Sequence, residues 1–340
     1  MSFWDFINKE HPIVLIPHAR PDADALGSAL ALFHLLSDLG YQAHVISPGS
    51  YPAFLSWMPA AQDVLIFSEQ EQACRNLIKK AQTLICVDFS SPSRAGDIGP
   101  LLERGAHKKI LIDHHPSPKD FADLSIWSDK AVATAQLVYE RILSPKIHLA
   151  NPAIASCLYA GILTDTGSFQ HGFISPEVHR IVASLIEQGA QPNKIAHQLY
   201  GNHSEDRLRF LGFALSKCLH IENKYHTAYF VLREKEMSQF QLLVGDTEGL
   251  VNYALSIEKI VFGMLIKECP GVIKISFRSK GSFPANEIAV KHFQGGGHLN
   301  AAGGHSHSSI EEVLRQLQGI LSQYESRLNE EAREISEIRT

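Results

Sequence analysis

The chain has 340 residues, 45% of them hydrophobic and 20% charged, a globular balance with room for two ordinary domains. Its formal net charge of −5 speaks against a duplex-DNA binder, whose affinity rests on phosphate neutralisation. No apolar run is long enough to span a membrane, and the N-terminal MSFWDFINKEH lacks the apolar core of a signal peptide. The 5 scattered cysteines, without a CxxC, point to a reducing, cytoplasmic setting rather than to disulfides or a thiolate metal site.

Taken in order, residues 13–16 read as a buried strand, followed by the loop Pro17-His18-Ala19-Arg20-Pro21-Asp22-Ala23-Asp24 and an apolar helix over 25–39 with Gly40 at its C-cap. Strands are expected at 43–46 and 64–67, a helix at 69–80, and a strand at 84–87 ending in Asp88. The loop to Arg94 follows, then a strand at 109–112 that exits into Asp113-His114-His115. Helices are expected at 133–143, 151–164 and 175–188. The second of these is almost wholly apolar until Asp165, an acid too buried to stand without a partner or a cation; Thr164, Thr166 and Ser168 are candidates to satisfy it. Strands alternating with helices predict an α/β fold built on a mostly parallel sheet with helices on both faces.

The stretch 191–216 reads as a helical linker between a first domain, 1–190, and a smaller α/β domain, 217–340. In the latter, strands are expected at 227–232, 260–267 and 272–277, with helices at 233–242 and 249–258. Gly295-Gly296-Gly297-His298 reads as a loop whose backbone N–H groups could nest an anion, with Arg278 and His298 adding donors. The tail, 308–340, reads as a charged, solvated helical face.

His18, Asp22, Asp24, Asp88, His114, His115 and Asp165 fall in loops or at the ends of strands and helices. Four carboxylates and three imidazoles without sulfur suit Mn²⁺ or a related divalent ion. They are more ligands than one catalytic ion needs. Two ions sharing a carboxylate, roughly 3.5–4 Å apart, would use them and would suit phosphoryl transfer.

Four motifs, HARPDADALGSALAL at 18–32, VDFSSPSR at 87–94, DHH at 113–115 and GILTDTGSF at 161–169, with GGGHLNAAG at 295–303, make the chain resemble the DHH/DHHA1 phosphoesterases. Within them it is most similar to the oligoribonuclease and pAp-phosphatase branch. The resemblance implies a catalytic DHH domain and a substrate-binding DHHA1 domain. It implies that His18 and Asp22 bind one metal ion, that Asp24, His114 and Asp165 bind the other, and that Asp88 bridges them. His115 would face the scissile phosphate, with Asp113 orienting an imidazole. Arg278, Gly295, Gly296, Gly297 and His298 would hold the substrate phosphate, with Arg94 a weaker candidate. The implied reaction is hydroxide attack, assisted by two Mn²⁺ ions, on short single-stranded RNA or 3'-phosphoadenosine 5'-phosphate in an interdomain cleft. A linear or cyclic dinucleotide phosphodiesterase, and a catalytically inactive nucleotide-binding protein, are the alternatives; an inorganic pyrophosphatase is weaker, because GGGH replaces the expected basic cluster. Duplex DNA and membrane are not expected partners, and a homodimer is left open.

Overall fold

In the computed structural model, which describes residues 2–105 and 107–337, the apolar runs of the first half become a sheet of six strands. These are β1 (Ile13–Pro17), β2 (Ala43–Ser47), β3 (Leu65–Ile66), β4 (Thr83–Val87), β5 (Lys108–Asp113) and β6 (Leu124–Trp127). Their order is β3-β2-β1-β4-β5-β6, and each pairing is parallel. β1 and β4 are buried at every position. That is why they read as continuous apolar runs and not as alternating ones.

The helices of this unit are α1 (Phe3–Phe6), α2 (Ala23–Asp38), α3 (Glu71–Lys80), α4 (Gly99–Arg104), α5 (Thr134–Val138), α6 (Pro152–Asp165), α7 (Pro176–Glu187) and α8 (Pro192–Tyr200). Leu15, Ile85, Val87 and Ile110 meet α2, α5, α6 and α7 on one face. Val14, Ile16, Leu84, Cys86 and Leu111 meet α3 and α4 on the other. α2 and α6 pack closely at Gly27, where an added Cβ would stand 2.5 Å from the Cys157 carbonyl oxygen. Strand order reverses between β1 and β4, so the carboxyl ends of β1, β4 and β5 flank the crevice where open α/β sheets bind ligands.

This unit departs from the sequence reading at two places. The stretch 133–143 is not one regular helix: α5 stops at Val138 and continues as a π-helical turn, Tyr139–Leu143. Strand β6 was not expected, because its half-exposed LSIW carries too short an apolar signal.

The chain divides into two compact units, Met1–Asn202 and His203–Thr340. The stretch 191–216 contains α8, in the first unit, and α9 (Glu205–Phe213), in the second. The second unit continues with β7 (Leu219–Glu222), β8 (Thr227–Leu232), α10 (Glu234–Met237), α11 (Leu250–Ser256), β9 (Phe262–Cys269), β10 (Val272–Ser279), α12 (Ala285–His292), β11 (Gly296–His298), β12 (Ala301–Ser306), α13 (Ile310–Gln323) and α14 (Glu325–Glu337). Its sheet runs β11-β12-β10-β9-β8-β7 and is antiparallel except for β8 beside β9.

The tail is not a solvated face. Ile310, Val313, Leu317, Ile320, Leu321 and Leu328 close the core against Phe262, Ile275 and Phe277. The glycine run is also not a free loop. Gly296–His298 forms an edge strand with Gly296, Gly297 and His298 opposite Gly303, Ala302 and Ala301. An added Cβ would stand 2.0 Å from the Gly303 oxygen at Gly295 and 2.4 Å from the Ala301 oxygen at Gly297, so close strand approach explains these glycines. Among the described residues no helix is long and apolar enough to cross a membrane.

Candidate metal centre

The chain leaves β1 through His18 and reaches Asp22, the N-cap of α2. Asp22 Oδ1 accepts the amides of Asp24 and Ala25, both at 3.0 Å. Capping therefore falls to Asp22, and Asp24 rides in the first turn, fully buried. A buried carboxylate must be bonded. Asp24 Oδ2 accepts the Thr134 amide at 2.6 Å, and Oδ1 accepts the Ala135 amide at 2.9 Å and the Ser28 hydroxyl at 3.3 Å. Two of these donors are the otherwise unpaired amides that open α5.

Asp88 follows β4 with φ of +66°, a left-handed conformation that Asp tolerates better than most residues. Its Oδ1 accepts the Thr134 hydroxyl at 2.7 Å. His18 Nε2 lies 3.5 Å from Asp88 Oδ2 and 3.9 Å from Asp22 Oδ2. The loop carrying His18 is fixed from the other side, where the Ala19 amide donates to the Arg94 carbonyl at 2.8 Å. The Arg94 side chain itself is exposed.

β5 ends in Asp113. The His114 Nδ1 donates to the Ala131 carbonyl at 3.2 Å, which directs Nε2 at carboxylates: Asp165 Oδ2 at 3.1 Å, Asp88 Oδ1 at 3.6 Å and Asp24 Oδ2 at 4.0 Å. The His115 Nδ1 donates to Asp113 Oδ1 at 2.8 Å and lies 3.6 Å from Asp88 Oδ1. Asp113 is fully buried, and its Oδ2 has no hydrogen-bond partner among the described residues. Asp165 ends α6. The Thr164 and Thr166 hydroxyls do not satisfy it; they bond back to the Ala160 and Ile162 carbonyls at 2.9 and 2.6 Å.

The electrostatics follow from this crowding. Burial first, then the Asp88 and Asp165 charges, hold the Asp24 carboxyl well above the usual carboxylate range. Asp22 is raised as well, by its crowded surroundings and by the Asp88 and Asp165 charges against the pull of His18, although half of its side chain is open to solvent. At Asp88 burial alone would raise the pKa, but the His18 bond and the charges of His115, His114 and His18 overrule it and leave Asp88 low. Burial disfavours a charged His114, yet Asp165, Asp88 and Asp24 together lift it well above the ordinary imidazole value. His115 is raised in the same way, by Asp113 and Asp88 against burial.

An imidazole nitrogen facing three carboxylates is stable only with positive charge between them, a proton or a cation. Within the first unit, three groups of ligand atoms lie within 4.8 Å of one another, and two follow the implied pair of ions, though without Asp165: His18, Asp22 and Asp88, and Asp24, Asp88 and His114. Asp88 belongs to both. A third grouping joins Asp88, Asp113 and His115. Carbonyl- and carboxylate-bound Nδ1 atoms on His114 and His115 are the outer bonds that fix ligating or reacting imidazoles. Thr134 was not foreseen. Nothing in AVATAQ marks its double bond to Asp24 and Asp88, since a Thr opening a helix is commonplace.

In the second unit Arg278, Ala301 and His298 occupy one cross-strand row, and Ser276, Gly303 and Gly296 the next row on the same face. Gly296 meets no atom within 4 Å of an added Cβ, so this part of the sheet is open. The face thus presents a guanidinium and an imidazole beside bare backbone, suited to an anion.

Residues 12–162 match the DHH family, N-terminal domain, and residues 224–329 match the DHHA1 domain. The bifunctional oligoribonuclease and PAP phosphatase NrnA of Thermus thermophilus is 30% identical over 86% of this chain and 84% of its own. The probable enzyme of the same name from Streptococcus mutans is 28% identical over 91% and 94%. Among solved structures, an exopolyphosphatase-related protein from Bacteroides fragilis is 34% identical and superposes with a TM-score of 0.89 over 94% of each chain. With its strand-end acids and imidazoles drawn together as described, the chain belongs to the DHH family and carries a DHHA1 domain.

Proposed function

We propose that this chain is a metal-dependent phosphoesterase that hydrolyses short RNA oligonucleotides and 3'-phosphoadenosine 5'-phosphate. The observation that carries the reading is Asp88, whose carboxylate belongs to both metal-fitting triads. The names of its relatives, oligoribonuclease and PAP phosphatase, support the substrate class.

His18 and Asp22 would hold one divalent ion, Asp24, His114 and Asp165 the other, and Asp88 both. An oxygen-rich set with imidazole favours Mn²⁺. When bound, such a pair supplies Lewis acidity to phosphoryl oxygens and lowers the pKa of water. The chain's own contribution is positioning. Asp24 and Asp88 both accept hydrogen bonds from Thr134, which presets where their oxygens point. Asp113 occupies His115 Nδ1, so any proton that His115 exchanges with substrate passes through Nε2. Arg278 and His298, beside Gly295, Gly296 and Gly297, would bind a substrate phosphate.

The test is Asp88→Asn alongside wild type, with Mn²⁺, on 3'-phosphoadenosine 5'-phosphate, a dinucleotide, a pentanucleotide and a 24-mer. The reading expects wild-type turnover that falls with length and at least a thousandfold loss in the variant, one bridging ligand being worth several kcal/mol. Near-normal turnover by Asp88→Asn, or preference for the 24-mer, would overturn it.

A further inference from the structure

We propose that Trp127 is a stacking platform for a substrate nucleobase, so that the first unit selects base-bearing phosphoesters over base-free ones. This deepens the phosphoesterase reading and rests on it.

The Trp127 indole is not part of the buried core. β6 is the edge strand of the parallel sheet, with Leu124 and Ile126 packed against the core while Ser125 and Trp127 are exposed. Trp127 ends the strand with 40% of its surface exposed. The register sets it beside Asp113, which places both residues on the same side of the sheet and at its ligand-binding edge. Its single polar atom is already satisfied: Nε1 donates to the His115 carbonyl oxygen at 2.7 Å. An exposed indole would ordinarily turn this N–H to water. Here the bond fixes the ring against the backbone of the residue that would face the scissile phosphate.

A ring that is exposed, oriented and hydrogen-bonded at its edge offers its π-face with little rotamer entropy left to lose. Every base has a π-face, so such a platform binds nucleotides without choosing among sequences. A base attached through ribose to a phosphate beside His115 lies within reach of it. Polyphosphate, pyrophosphate and sugar phosphates have nothing to place there. The distinction matters for this fold, since a solved relative is described as exopolyphosphatase-related.

The experiment compares wild type, Trp127→Leu and Trp127→Phe, loaded with Mn²⁺, on an RNA dinucleotide and on the same phosphodiester with both bases removed. Trp127→Leu should raise KM for the dinucleotide about 5- to 150-fold, the range of one base–aromatic stack. KM for the abasic diester should stay where it was. Trp127→Phe keeps a ring but loses the N–H, and should recover most of the affinity. If the indole served only to brace His115, both variants would lose kcat alike on both substrates, and the proposal falls. Equal KM changes on the two substrates also overturn it. A wild type that hydrolyses neither substrate removes the phosphoesterase reading itself and this proposal with it; a failure confined to the variants removes only Trp127.

Discussion

Gly161 of α6 stands directly against Asp24 of α2: a Cβ built on Gly161 would lie 2.7 Å from Asp24 Oδ1 and 2.9 Å from the Ala135 Cβ. A glycine inside a helix is worth about 0.5–1 kcal/mol less than alanine. Gly161→Ala gains that much propensity but overpacks a closed site, at about 1–3 kcal/mol. Overpacking wins, since neither the Asp24 carboxylate nor α5 has room to retreat. We expect a lower melting temperature and, because an ångström of misplacement can be worth roughly a hundredfold in rate, a fall in kcat of that order. Unchanged kcat in a folded variant would show that Asp24 need not stay where it is.

Thr134 bonds Asp24 through its amide and Asp88 through its hydroxyl. Thr134→Val keeps shape and amide and removes only the hydroxyl. Groups that orient metal ligands are typically worth 10–100-fold in metal affinity or activity, and that loss is expected here in a Mn²⁺ titration, with Thr134→Ser recovering most of it. If valine binds Mn²⁺ as tightly as threonine, the hydroxyl does not orient Asp88.

Metal should also act as a stabiliser. An ion that binds the folded chain alone adds about 2.7 kcal/mol when present at a hundred times its Kd. Thermal melting with and without a chelator should separate clearly in wild type. The separation should shrink in Asp88→Asn, which removes a ligand shared by both triads. Identical separation in the two proteins would place the ion elsewhere.

The cysteines give a prediction independent of catalysis. All five are free, and all but Cys269 are buried. Burial pushes the Cys157 thiol up to about 12 and the Cys218 thiol to about 11. A thiol reagent near pH 8 should therefore react quickly with Cys269 in the native protein and with all five after unfolding. A thiol held protonated in the folded state stabilises below its unfolded pKa, and that stability is lost as pH climbs above about 8.5 towards the folded value. Fast native labelling of Cys157 would contradict the burial described.

Much of this was legible because the first sheet is parallel and covered on both faces. Strands such as 84–87 had to be apolar throughout, and an acid at the end of such a run, as at Asp88, is conspicuous. What escaped was whatever depends on distant contact. Gly161 and Thr134 are unremarkable in sequence, and only the approach of α6 and α5 to Asp24 gives them meaning. β11 escaped because a glycine run has no strand propensity; it pairs because missing Cβ atoms let backbones close up. The tail misled because its buried Ile310, Val313, Leu317 and Ile320 are separated by Glu311, Glu312, Arg315, Gln316 and Gln318, whose polarity masks the helical spacing. The Thr164 and Thr166 hydroxyls looked like partners for Asp165, but hydroxyls inside helices more readily bond the preceding turn.

The Asp24–Thr134 bond closes a span of 110 residues. Closing so long a loop is entropically slow, and nothing at the site rewards an early partial structure. Ion affinity should therefore arrive late in refolding and all at once, making a bound cation a reporter of complete assembly. No fragment that omits either end of that span can retain a weakened version of the centre, so its loss under truncation should be abrupt instead of graded.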